Sequence, residues 1–213
     1  MMNRNSKTQE LKNEMAAIII AAGYSSRMKV FKPLLPLGES TVLEHALKTF
    51  LDAGVKKIIV VLGYQGKRIE PLLEKYNISP VYNPKYDEGM YSSIVEGIKA
   101  LPSHSKGFFL LPADMPLVKS STIDALLEAY RRSGKHIIYP SYNSRRGHPP
   151  LISSYFFSKI LAYDGGGGLK TLLKEYDKEH GEYVNVKDKG VILDMDYFKE
   201  YQELIDLEKC SKE

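Results

Sequence analysis

The sequence predicts an α/β fold of three layers, a mostly parallel sheet with helices on both faces. Two observations carry that expectation. Residues 16–21 (AAIIIA), 57–62 (KIIVVL) and 108–111 (FFLL) are short, nearly continuous apolar runs, the mark of strands buried on both faces. Segments of ten or so residues with apolar positions at helical spacing separate them, and that alternation implies βαβ units and parallel strands.

In chain order, 1–14 is polar and mixed in charge and reads as a loose, flexible lead-in to one domain over 15–208. Thr41 and Glu44 form a capping box, in which each side chain can bond the other's backbone N–H. Leu43, Ala46, Leu47 and Phe50 follow at helical spacing, and Gly54 marks the stop. A helix is expected over 67–76, a short strand over 80–82 and a helix over 92–101 capped by Ser92 or Ser93. A helix over 121–132 and a strand over 136–139 follow. Beyond Pro140 the pattern loosens. A turn-rich stretch covers 141–150, helices are expected near 155–161 and over 169–176, and four glycines occupy 165–168. Short strands over 182–186 and 191–193 precede a terminal helix over 197–207. No internal repeat or linker divides the chain.

Composition narrows the function classes. The 213 residues carry a net charge of +4, with Lys and Arg scattered among nearly as many Asp and Glu. A nucleic-acid surface would more often show a basic stripe with interleaved aromatics, so no nucleic-acid partner is expected. The longest apolar run, 15–22, is far too short to span a bilayer, so no membrane partner is expected either. The single cysteine, Cys210, has no intrachain partner, which fits a reducing compartment, the cytoplasm. The fifteen tyrosines point to no mechanism by themselves.

In open α/β sheets ligands bind outside the carboxyl ends of the strands, so the loops there hold the candidate site. The first reads Ala21-Ala22-Gly23-Tyr24-Ser25-Ser26-Arg27-Met28-Lys29-Val30-Phe31-Lys32-Pro33. Small residues let backbone approach a base or phosphate closely, and Arg27 and Lys32 add positive charge. Neither G-x-x-x-x-G-K-[ST] nor G-x-G-x-x-G is present, and an ordinary βα turn with exposed cations is the plainer reading. Asp114, just past the third apolar run, is placed either to bind a metal or to cap a turn before Pro116. Residues 83–93 read as a turn and a capped helix, and His148 beside Arg145 and Arg146 reads as an exposed loop residue or a phosphate contact.

The first loop resembles the A-A-G-x-S-x-R-M-(x)-x-x-K signature of nucleotidyltransferases related to the molybdenum cofactor cytidylyl- and guanylyltransferases, and the resemblance runs from Ala16 to about Tyr201. It implies a Rossmann-like, nucleotide-diphospho-sugar transferase-like (GT-A-like) sheet. It also implies nucleotide binding by Ala21, Ala22, Gly23, Ser25, Arg27 and Lys32. Residues 83–93 resemble the family's N-P-x-(x)-x-x-G-M-x-x-S segment, which brings in Asn83, Gly89 and Ser93. Pro112-Ala113-Asp114-Met115-Pro116 is similar to its G/A-D-M-P motif, which makes Asp114 the principal Mg²⁺ ligand. Leu193-Asp194-Met195-Asp196 is similar to L-D-I-D, so Asp196, or else Asp194, completes the metal site; Tyr197-Phe198-Lys199-Glu200 departs from the family's T-P-E-D. Arg145 to Pro149 matches R-x-G-H-P, which implies acceptor contacts from Arg146, Gly147 and His148. Lys170 stands where an arginine is usual.

The activity implied is Mg²⁺-dependent transfer of a nucleotide to a phosphate acceptor with release of pyrophosphate, with Arg27, Lys32 and Asp114 catalytic. Ala22, where guanylyl members carry glycine, favours CTP over GTP. The implied acceptor is a molybdopterin-type cofactor, and a molybdoenzyme would receive the product. A guanylyltransferase for the same cofactor, a sugar-phosphate nucleotidyltransferase and a non-catalytic nucleotide-binding module are the alternatives.

Overall fold

β1 (Met15–Ala21) is buried along its whole length. Met15, Ala17, Ile19 and Ala21 enter one apolar core, and Ala16, Ile18 and Ile20 enter another. A strand with no polar face therefore lies where both faces are covered. The structure, a computed structural model, describes residues 4–24, 28 and 30–210.

In chain order β2 (Pro36–Leu37) and β3 (Ser40–Thr41) form a small antiparallel pair. They are followed by β4 (Lys57–Leu62), β5 (Val81–Tyr82), β6 (Gly107–Pro112), β7 (Ile137–Tyr142), β8 (Arg145–Arg146), β9 (Leu151–Ser153) and β10 (Gly181–Asn185). The main sheet runs β10-β7-β9-β6-β1-β4-β5, with β8 paired to β7. β1 is parallel to β4 and β6, with Ile18 opposite both Ile59 and Leu110. β5 is parallel to β4, and β10 to β7, while β9 runs antiparallel between β6 and β7. The sheet is thus mostly parallel and carries two reversed strands, β8 and β9, that the sequence pattern concealed because two or three residues are too few to show a period. The chain leaves β1 toward β4 and β5 and returns to β6 on the other side of β1. That reversal opens a crevice at the carboxyl ends of β1 and β6.

The helices are α1 (Arg4–Glu14), α2 (Val42–Asp52), α3 (Glu70–Glu74), α4 (Met90–Lys99), α5 (Ser120–Ser133), α6 (Phe157–Ala162), α7 (Gly168–His180) and α8 (Phe198–Cys210). Apolar residues of α2 and α5 (Leu43, Leu47, Phe50, Ile123, Leu127) cover one face of the sheet. Those of α4, α6 and α7 (Ile94, Ile98, Ile160, Leu172, Leu173) cover the other. A third apolar cluster joins Leu37 and Val42 to Met195, Tyr201 and Leu204, which ties the β2–β3 pair to α8. The capping box at Thr41 and Glu44 forms as the spacing requires.

Four expectations change. Residues from Arg4 to Glu14 are helical rather than loose; Leu11 packs against the core, and Lys12 pairs with Asp124 of α5 at 2.7 Å. The helix expected over 67–76 is a 3₁₀ turn, Gly66–Arg68, and then the short α3, because Pro71 is tolerated only in a helix's first turn. The strand expected over 191–193 is a 3₁₀ turn, Lys189–Ile192, capped by Asp188. Gly89, not Ser92 or Ser93, occupies the N-cap of α4.

Candidate active site

The loops after β1, β5 and β6 enclose a cleft of about 550 Å³ lined by Ala21, Ala22, Gly23, Lys32, Gly89, Ser93, Asp114 and Asp196, with Tyr24, Tyr86, Asp87 and Met90 at its walls. Its floor is charged. Lys32 begins the 3₁₀ turn Lys32–Leu34 and is 8% exposed. Its Nζ donates to Asp114 Oδ2 at 3.3 Å and to Asp196 Oδ1 at 3.1 Å.

Each partner has a local reason for its place. The N–H of Ala113 donates to the carbonyl of Ile20, which carries the β6–β1 pairing past the strand end, and Met115 N–H then turns back to the carbonyl of Pro112. Asp114 is therefore presented at the tip of the strand. Asp196 follows Met195, which is fully buried in the third apolar cluster. Its own N–H and that of Tyr197 donate to the Glu200 carboxylate at 2.5 and 2.9 Å. Glu200 thus satisfies donors at the start of α8, and the Asp196 carboxylate reaches Lys32.

Burial raises the Asp114 carboxyl above the usual carboxylate range; the Lys32 charge and hydrogen bond oppose that shift, and Asp194 and Asp196 reinforce it. The Lys32 ammonium thus sits among carboxylates that repel one another, an arrangement that suits a further cation. Among the described residues no cluster of three or more His, Cys, Asp or Glu side chains forms an all-protein metal cage. Asp114 with Asp196 suits Mg²⁺, which typically takes one or two carboxylates and completes its shell with water and substrate phosphates.

The upper walls are small or aromatic. A Cβ built on Gly63 would lie 2.8 Å from the carbonyl of Ala22 and 2.5 Å from Cβ of Tyr86, so a side chain there would push two lining segments apart. Tyr24 packs against Tyr64 and Tyr86 with ring centroids 5.1 and 5.3 Å away. The sequence reading missed this trio; its signal is one tyrosine in the loop after each of β1, β4 and β5. Gly89 enters α4 at φ +98°, a conformation open to glycine and strained for other residues.

The structure sorts the remaining candidates. Ser25 and Arg27 lie outside the described residues. Asn83 is 2% exposed and fully used within the protein. Its Nδ2 donates to Ser92 Oγ and Ser93 Oγ at 2.8 and 2.9 Å, and its Oδ1 accepts from the N–H of Lys85. It fastens the loop that carries Gly89 and does not itself line the cleft.

The residues assigned to the acceptor do not line the cleft either. The Arg146 guanidinium stacks on Tyr139, 4.0 Å from the ring centroid. Gly147 donates its N–H to the carbonyl of Pro140, and His148 its backbone N–H to that of Val191, each at 2.8 Å. The His148 imidazole is half-buried, and burial, aided by the Arg146 charge, lowers its pKa to about 4. Lys170 is exposed on α7. The glycine run before it packs on α4: a Cβ on Gly165 would touch the ring of Tyr91 at 3.1 Å.

Residues 17–180 match the family model described as the MobA-like NTP transferase domain. The chain belongs to the MobA-like NTP transferase family. The molybdenum cofactor cytidylyltransferase of Escherichia coli K12 is 31% identical over 84% of this chain and 89% of its own length. The bifunctional protein GlmU of Geotalea uraniireducens is 25% identical over 80% of this chain, which spans only 36% of that longer protein. Among solved structures, a nucleotidyl transferase from Methanothermobacter superposes with a TM-score of 0.81 at 23% identity, covering 93% of this chain and 99% of the other. This MobA-like chain is accordingly a nucleotidyltransferase on a nucleotide-diphospho-sugar transferase fold.

Proposed function

We propose that the protein transfers CMP from CTP to the phosphate of a molybdopterin-type cofactor and releases pyrophosphate, with Mg²⁺ as the metal. The observation that carries the reading is the Lys32, Asp114 and Asp196 cluster on the floor of the cleft. Here, among the described residues, the Lys32 ammonium and two carboxylates meet at the switch point of the sheet. Phosphoryl-type transfer needs positioning and charge neutralisation more than a protein nucleophile. The acceptor's phosphate oxygen attacks the α-phosphorus, the bond to the bridging oxygen breaks, and that oxygen leaves on pyrophosphate. The acceptor phosphate is already ionised, so no general base is required.

Asp114 and Asp196 would hold the Mg²⁺, which would supply charge neutralisation to the transferred phosphate. Lys32, together with Arg27 from the adjoining loop, balances charge on the departing pyrophosphate. Ala21, Ala22 and Gly23 leave room for the nucleotide against the backbone, Gly89 and Ser93 face it from the start of α4, and the family resemblance assigns Ser25 to the phosphates. Arg146, Gly147, His148 and Lys170 belong to the acceptor side, and binding has to carry the glycine run and its neighbours toward the cleft. A molybdoenzyme receives the product, and the setting is the cytoplasm.

CTP is favoured by Ala22 in the first loop and by the E. coli cytidylyltransferase relative. Competition between CTP and GTP at equal concentration, with the pterin cofactor as acceptor, tests the base. Faster consumption of CTP is expected; equal or reversed rates contradict it.

A further inference from the structure

The two carboxylates of the cleft stand on segments that share no strand pairing, so something must set their separation. Asp114 lies in the loop that joins β6 to α5. Asp196 lies beyond the 3₁₀ turn Lys189–Ile192, outside the sheet. We infer that Asp188 and Gly190 are positioning residues that fix the Asp196 segment against the Asp114 loop, and that Gly147 backs that seat from the other side.

Three contacts support the assignment. A Cβ on Gly190 would lie 2.1 Å from the carbonyl oxygen of Leu117 and 2.9 Å from the nitrogen of Val118. The backbones of the two segments therefore touch at a distance that no side chain permits. Asp188, 3% exposed, binds both segments at once. Its Oδ2 accepts from the N–H of Lys119 at 2.8 Å and from Thr122 Oγ1 at 2.7 Å, and its Oδ1 accepts from the N–H of Gly190 at 2.9 Å. On the far side a Cβ on Gly147 would lie 2.3 Å from the Val191 carbonyl oxygen, which already accepts from the N–H of His148. The turn is thus held between the Asp114 loop and the β8–β9 connection. The Asp114 loop is tied in turn to α2 by Thr49 Oγ1, which donates to the carbonyl of Val118 at 2.7 Å.

Neither glycine adopts a left-handed backbone, since neither is among the positive-φ residues. Both are required by close approach. A methyl group on Gly190 has to displace backbone, and the displacement moves Asp196 away from Asp114 and Lys32. Asp188 acting only as a cap for α5 would affect stability without altering how the carboxylate pair receives a cation. The inference rests on the reading of Asp114 and Asp196 as the metal-binding pair.

The test titrates Mn²⁺ alone into the full chain and follows bound metal by water-proton relaxation. Wild type, Gly190→Ala, Asp188→Asn and the core control Ile123→Val are compared, with melting temperatures measured alongside. Gly190→Ala is expected to weaken Mn²⁺ at least tenfold and to lower kcat, with kcat partly recovered at high Mn²⁺. Asp188→Asn, which keeps one acceptor oxygen, is expected to weaken Mn²⁺ about threefold. Ile123→Val is expected to lower the melting temperature with unchanged Mn²⁺ affinity. Folded Gly190→Ala with wild-type Mn²⁺ affinity overturns the positioning role. If Gly190→Ala does not fold, Asp188→Asn decides: wild-type Mn²⁺ affinity overturns the role. Mn²⁺ affinity that falls equally in Ile123→Val overturns it as well. Failure of the wild type to bind Mn²⁺ overturns the metal pair itself and the positioning role with it.

Discussion

Lys32 donates a hydrogen bond to Asp196 across 164 positions of sequence, Nζ to Oδ1 at 3.1 Å, from a side chain only 10% exposed. The same nitrogen reaches Asp114. A protein cation is thereby held between the two carboxylates best placed to take a metal. Removing it leaves like charges in a partly buried site, a costly change. Lys32→Met is expected to lower kcat for pyrophosphate release by about 10²–10³, the size of an electrostatic stabiliser's contribution. Melting curves with and without Mg²⁺ add a second check. The ion should stabilise Lys32→Met more than the wild type, because it replaces a charge that the wild type already has. Equal Mg²⁺ shifts in the two proteins would contradict a shared site.

Gly89 has open space around its Cβ position, so backbone conformation alone limits it there. At φ +98° a side chain is strained by about 1–3 kcal/mol. Gly89→Ala is expected to lower the melting temperature and, by shifting Met90 and Ser93, to raise KM for the nucleotide more than it lowers kcat. A melting temperature and KM equal to the wild type's would contradict that role.

His148 links pH to stability. Its folded pKa of about 4 lies below the ordinary value of 6.5, so between these values the unfolded chain binds a proton that the folded chain refuses. Stability contributed by the neutral imidazole is complete above pH 6.5, falls as the pH drops toward 4, and levels off below it. The loss by pH 5 is about 2 kcal/mol. Urea unfolding at pH 7.5 and pH 5 should show a larger difference for the wild type than for His148→Gln. Parallel pH dependence would contradict the burial argument.

Much of this was legible in the sequence. The runs at 16–21, 57–62 and 108–111 became β1, β4 and β6 because a strand apolar on both sides has only a central place in a covered sheet. Lys32, Asp114 and Asp196 meet at the floor because Asp114 follows the end of β6, while the 3₁₀ turn Lys32–Leu34 and the segment before α8 bring the other two to it. The use of Asn83 within its own loop was not legible, since a buried amide can satisfy hydroxyls there as readily as it can meet a ligand. β9 was missed because three residues are too few to show a period. Asp188 and Gly190 were missed because a short Asp-x-Gly turn reveals nothing about the backbone it will touch. The helicity of 4–14 was hidden because its polar composition masks the docking of Leu11 and Lys12.

The most direct test of the central claim is acceptor-dependent pyrophosphate release from CTP with Mg²⁺ and the pterin cofactor, measured for the wild type, Asp114→Asn and Asp196→Asn. The account predicts release that requires both the metal and the acceptor, lost by about 10² or more in each variant while the fold is retained. Release by the variants at the wild-type rate would contradict a reaction centred on Lys32, Asp114 and Asp196.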